Sequence, residues 1–265
     1  MKRRHFLSSS ALAAGFAATL PSALTAVGQS PAESKEFYEL RRYHLRRGPM
    51  QQRFDDYFRD LAIPALNRRG VSPVGVFDVT TGPDSPTKYV LQTYKSLDIF
   101  FAAHQPTGAN LEMEKAEFLN LPPGDPPYIR VESSFMVAFD GMPKLEVPKQ
   151  ALEKKPRLFE LRTYESHSEK ASRKKIEMFN TGEIALFRRT GLTPVFFGET
   201  LVGARLPNLT YLLVFDDMPA HDANWRIFVN DPEWKKMSSA PGFTDPEIVT
   251  NISNVFLRPT AYSQV

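Results

Sequence analysis

The chain has 265 residues, of which 42% are hydrophobic, 33 are basic, 30 are acidic and none is cysteine. The missing thiols exclude disulfide frameworks, thiolate nucleophiles and cysteine metal sites. Lys2, Arg3 and Arg4 account for the whole basic excess, so without residues 1–28 the balance is 30 against 30. A nucleic acid or an acidic membrane would need a basic stripe. Neither Arg41-Arg42 nor the run from Ser172 to Glu177 is long enough to supply one.

Taken in chain order, residues 1–28 read as a signal peptide. Lys2-Arg3-Arg4-His5-Phe6-Leu7 precedes a moderately apolar run from Ala11 to Leu20 and small residues from Ala23 to Gly28. The segment is too short for a spanning helix and resembles a bacterial twin-arginine export signal. It predicts a periplasmic or secreted protein. No later apolar run reaches spanning length, so stable membrane insertion after signal removal is not expected.

Residues 37–43 alternate as a strand. Phe54, Tyr57, Phe58, Leu61 and Ala65 then recur at helical spacing between Met50 and Arg69, with Gly70 as the stop and Pro64 expected to bend or shorten the helix. Two strands follow around the turn at 82–86. Ser96 is placed to cap a helix running through Phe100, Phe101 and His104, and 128–139 reads as the last strand. After a Pro- and Lys-rich linker, 140–156, the same order returns at 157–165, 169–190, 194–203, 208–215, 218–237 and 248–257, with Asp217 as a helix cap.

The second set is a copy of the first. Phe-Tyr-Glu-Leu-Arg-Arg-Tyr at 37–43 returns as Leu-Phe-Glu-Leu-Arg-Thr-Tyr at 158–164, and a fixed offset of 121 gives 14 identities in 68 positions between 37–104 and 158–225 without a gap. The order strand, helix, strand, strand, helix, strand is the ferredoxin-like βαββαβ unit. One bare sheet face must find another layer, and the tandem copy is the nearest partner. The expected fold is α+β: two ferredoxin-like halves, 35–139 and 157–260, joined by 140–156 into an intrachain α/β barrel.

The doubled Glu-Leu-Arg-x-Tyr strand, Glu39, Leu40, Arg41 and Tyr43 with Glu160, Leu161, Arg162 and Tyr164, resembles the NIPSNAP family over roughly residues 36–258. Gly48 fits the glycine that often follows this strand in the family, and Glu169 in the second copy departs from it. The resemblance implies the tandem fold and leaves activity open. The related dimeric barrels include cofactor-free monooxygenases and haem enzymes.

Alternation puts Glu39, Arg41 and Tyr43 on one face of their strand and Tyr38, Leu40 and Arg42 on the other. Glu160, Arg162 and Tyr164 sort the same way. If Leu40 and Leu161 face the helices, both polar triplets point into the barrel. There they either bind a small anionic or carbonyl-bearing ligand or form ion pairs that fix how the two sheets meet. His104 is a candidate general base or a packing histidine. His221, Trp225 and Phe228 read as the core face of their helix, and His44 and His167 as exposed loop residues.

No GxGxxG, GxxxxGK[ST], HExxH or GxSxG pattern occurs, and no acid pair suggests a metal site. No cofactor is implied. Haem enters only by resemblance to the dye-decolorising peroxidases, whose Gly-x-x-Asp-Gly signature fails at Val137. The expected function is small-molecule binding in the barrel interior by a monomer or homodimer. The alternatives are a cofactor-independent, monooxygenase-like oxidoreductase and a protein-interaction scaffold.

Overall fold

The computed structural model describes residues 34–80, 86–105 and 107–265. The signal peptide expected at 1–28, and most of the turn expected at 82–86, lie outside the described residues. The first half runs β1 (Phe37–His44), α1 (Met50–Tyr57), α2 (Ile63–Arg68), β2 (Val74–Val79), β3 (Thr87–Tyr94), α3 (Leu97–Ala103), α4 (Ala109–Glu114) and β4 (Arg130–Ala138). One turn of linker helix, α5 (Lys149–Leu152), leads to the second half. This comprises β5 (Leu158–Glu165), α6 (Glu169–Met178), α7 (Ile184–Arg189), β6 (Thr193–Val202), β7 (Asn208–Phe215), α8 (Met218–Asn230), α9 (Pro232–Ser238), α10 (Asp245–Ile248) and β8 (Asn251–Pro259).

All eight strands join one closed antiparallel barrel in the order β1-β3-β2-β8-β5-β7-β6-β4, with β4 returning to β1. Each half contributes four neighbouring strands. The seams are β2 with β8 and β4 with β6, so each half pairs away the edge strands of the other. β5, β7 and β8 begin and end 121 residues after β1, β3 and β4, which extends the repeat beyond the stretch where identities show it.

Local chemistry explains the helix boundaries. Ser96 Oγ accepts from Ile99 N, and Asp217 Oδ1 accepts from Ala220 N, as their cap positions predict. Gly70 and Gly191 end the first helix of each half at φ +80° and +86°, the left-handed stop that glycine adopts without strain. The expected bend at Pro64 takes another form. A π-helical turn, Phe58–Ala62, joins α1 to α2, and the second half carries the same turn at Phe179–Glu183, where Ala185 stands in place of proline. The widened turn therefore belongs to the repeat and is not caused by proline. The helix expected over 218–237 is interrupted at Asp231, whose carboxylate caps α9.

The core has three main layers. Tyr38, Phe77, Leu91, Met136, Phe159, Phe196 and Val214, drawn from both halves, pack the deep part of the barrel lumen at 0–2% exposure. Helices α1 to α3 cover the outer sheet face of the first half through Tyr43, Phe54, Phe58, Leu66, Val90 and Tyr94. The second half is covered through Tyr164, Phe179, Phe187, Tyr211 and Phe228. Each such side chain contributes roughly 1.5–3 kcal/mol by leaving water.

Candidate functional site between sheet and helices

The strand alternation holds, but the faces are the reverse of the expectation. Tyr38, Leu40, Phe159 and Leu161 point into the lumen. Glu39, Arg41 and Tyr43, with Glu160, Arg162 and Tyr164, point outward under the helices. The reason is volume. The lumen must close on side chains from eight strands, and the aromatic and leucine positions fill it without leaving charges unpaired.

Under the helices of the first half, Glu39 is the hub. Its carboxylate, 5% exposed as a residue, accepts from Arg41 Nε at 2.7 Å, Ser133 Oγ at 2.8 Å and Tyr94 OH at 2.9 Å. Burial pushes the Glu39 carboxyl up, but a hydrogen bond from the protonated form of His104, the Arg41 charge and hydrogen bonds from Arg41 and Ser133 outweigh it and bring its pKa down to about 2. Arg41 in turn reaches Tyr43 OH at 3.4 Å and His104 Nε2 at 2.8 Å. His104 Nδ1 donates to the Phe100 carbonyl at 2.8 Å, so in the neutral ring Nε2 is the acceptor facing Arg41. Both ring nitrogens are engaged within the protein. The Glu39 carboxylate, 3.4 Å from Nε2, raises the affinity of that nitrogen for a proton.

Arg41, Tyr43 and His104 stand at the wall of a cavity of about 400 Å³. Tyr57, Phe58, Leu66, Phe118 and Tyr128 supply apolar and aromatic walls, and Arg41, Tyr43, Gln92, His104 and Glu114 supply the polar one. The volume lies within the range of small-molecule sites. Three of the five N–H bonds of Arg41 are used by Glu39, Tyr43 and His104, and its side chain is 27% exposed.

The second half keeps the clasp and fills the space above it. Arg162 donates to Glu160 at 2.7 Å and to Tyr164 OH at 3.3 Å. Trp225, 121 residues after His104, lays its ring 4.6 Å from the Arg162 guanidinium and donates Nε1–H to Glu160 at 2.8 Å. Further equivalents are bulkier or charged: Phe187 for Leu66, Trp234 for Met113 and Glu183 for Ala62. Trp225 stacks edge-on against Phe187 and Phe228, and Trp234 packs on Phe228.

The remaining histidines divide. His44, expected in an exposed loop, is the last residue of β1, is 5% exposed and contacts Glu132 at 2.9 Å. His167 is exposed as expected. His221 lies on the packed face of α8 with Trp225 and Phe228, and its Nε2 lies 3.2 Å from Glu160. Tyr94 and Ser133 carry no local signal in the sequence: they pair with Phe37 and Arg41 and reach Glu39 diagonally from the two neighbouring strands. Applying the 121-residue offset to His104 and Trp225 as a chemical difference would have exposed the asymmetry between the halves. Among the described residues no group of three or more His, Asp or Glu side chains gathers as metal ligands, and no helix is long and apolar enough to cross a membrane.

A closed antiparallel barrel of two ferredoxin-like halves, each with a Glu-Arg-Tyr clasp beneath its helices, defines a tandem α/β-barrel protein. The NIPSNAP family model matches residues 38–116 and 159–264, and the chain belongs to the NIPSNAP family. No curated protein matches it. Among solved structures it is similar to two "putative monooxygenases". One, from Lactobacillus acidophilus NCFM, is 8% identical with a TM-score of 0.55, covering 85% of this chain and 94% of the other. The second, from Fusobacterium nucleatum, is 10% identical with a TM-score of 0.56, covering 85% and 93%. An anthrone oxidase-like protein is 11% identical with a TM-score of 0.50, covering 86% and 93%. At these identities the likeness is one of fold.

Proposed function

We propose that this protein binds a small molecule in the sheet–helix cavity of its first half, with Arg41 as the recognition group. The observation that carries the reading is that Arg41 retains unused N–H donors at the wall of an aromatic-lined cavity while the equivalent Arg162 is covered by Trp225. A fork of donors facing aromatic walls suits a flat ligand carrying a carboxylate, phenolate or carbonyl oxygen. Glu39 orients that fork, and Tyr43 offers its hydroxyl beside it. In the second half Glu160, Arg162 and Tyr164 serve as a structural ion pair and clasp. The triplets expected to line the lumen if Leu40 and Leu161 faced the helices lie under the helices instead, and the proposed Arg41 site lies there with them.

A cofactor-independent oxidoreductase is the second reading. The fold likeness to the two oxygenase-type structures and to the anthrone oxidase-like protein supports it, as does the placement of His104 at the cavity wall. Against it, both nitrogens of His104 are already engaged, so a proton could pass only after Arg41 moves aside. A scaffold acting through its outer helices would need no cavity. Export by the twin-arginine-type segment at 1–28 belongs to this proposal and rests on the sequence alone.

The test is titration of the protein with aromatic carboxylates and phenols, followed by isothermal calorimetry. Binding that is lost in Arg41→Gln and retained in Arg162→Gln supports the reading. Binding indifferent to Arg41→Gln contradicts it.

A further inference from the structure

A second cavity, of about 510 Å³, lies within the barrel, and seven of the eight strands contribute to its wall. It shares no lining residue with the Arg41 cavity. Its polarity changes in step along the inward faces of β1 and β5. Buried Tyr38 and Phe159 close the lumen at depth, Leu40 and Leu161 come next, then Arg42 and Thr163, and finally His44 and Glu165. Val79 and Val255 add to the apolar part, and Arg205 stands over the polar end from the β6–β7 turn. The space is thus apolar at its floor and polar at its mouth.

The hydrogen bonds received at the mouth fall on one oxygen of Glu132 and one of Glu165, and the donors left over belong to Arg42 and Arg205. Glu132 is claimed on one oxygen by both Arg42 and His44. Glu165 is shared by Arg205 and Asn251 at 3.4 and 2.9 Å. Arg42 spends one N–H on Glu132 and also engages Tyr89. Arg205 spends only Nη1, on Glu165 and Ser253. Each guanidinium carries five N–H bonds, so both keep donors to offer. Arg205 also adopts φ +61°, a left-handed backbone that costs a non-glycine residue free energy and is retained where the surrounding structure or function demands it.

We infer that the barrel mouth is a second binding site, for an amphipathic anion whose apolar tail lies on Leu40, Leu161, Val79 and Val255 and whose carboxylate is held by Arg42 and Arg205. Decanoate is a suitable probe, used below its micelle concentration and compared with decan-1-ol and decyltrimethylammonium by calorimetry. Saturable decanoate binding, at least ten-fold tighter than either comparison ligand, is expected. Arg205→Gly should weaken it at least ten-fold without lowering Tm, because glycine accepts φ +61° freely. Leu161→Trp, which fills the floor, should abolish it. Absence of saturable binding, or equal binding of decan-1-ol, overturns the inference. Loss in Arg41→Gln with retention in Arg205→Gly also overturns it, by placing decanoate under the helices.

Discussion

His104 and Trp225 stand at the same place in the two halves, 121 residues apart, each against the Glu-Arg clasp of its own half. The imidazole sits beside Arg41 and leaves it facing a cavity, whereas the indole ring covers Arg162. Duplication thus built two clasps, and side-chain volume decides which one a ligand can reach.

Glu39 should make the protein acid-sensitive in a defined window. Its pKa falls from 4.5 to about 2 on folding, so its contribution is fully present above pH 4.5 and is lost as pH falls toward 2. The linked free energy is about 3 kcal/mol. Urea unfolding between pH 2 and pH 6 should show a steeper loss for the natural chain than for Glu39→Gln. The variant should also be destabilised at neutral pH by about the same amount.

The buried pair Lys175–Glu183, at 3.0 Å with both residues 1% exposed, occupies the positions held by Phe54 and Ala62 in the first half. Lys175→Met alone leaves Glu183 uncompensated and should cost about 3–5 kcal/mol. The double change Lys175→Phe with Glu183→Ala copies the first half and should return stability to within ~1 kcal/mol of the natural chain or above it. Chemical denaturation of the single and double variants decides this. A double variant as unstable as the single one would mean that the pair does more than fill space.

Replacing Arg3 and Arg4 together by lysine should strand the protein in the cytoplasm if residues 1–28 direct twin-arginine export. Cell fractionation reads the outcome. Unchanged export would assign the segment to the general secretory route.

Much of this architecture was legible beforehand because it rests on local signals. The repeated Glu-Leu-Arg-x-Tyr strands, the caps Ser96 and Asp217 and the stop Gly70 are short-range chemistry, and their order defines the ferredoxin-like unit. Which face of β1 meets the helices was not legible. Alternation sorts Glu39 from Leu40 but does not say which set lies inward, and that is settled by how eight strands close around a lumen of limited width. The π turn after α1 is also hidden, since Phe58–Ala62 and Phe179–Glu183 share only the phenylalanine. Tyr94 and Ser133 join the clasp through strand pairing between distant residues, which no local pattern records.

Native mass spectrometry of the natural protein, His104→Trp and Trp225→His, each purified from its own producing cells and exposed to the same aromatic acid found by titration, tests whether the first-half cavity holds the ligand. One bound ligand is expected on the natural chain, none on His104→Trp at unchanged Tm, and continued binding on Trp225→His. A ligand held equally by the natural chain and by His104→Trp would contradict this expectation, because the first-half cavity would then not be where the molecule sits.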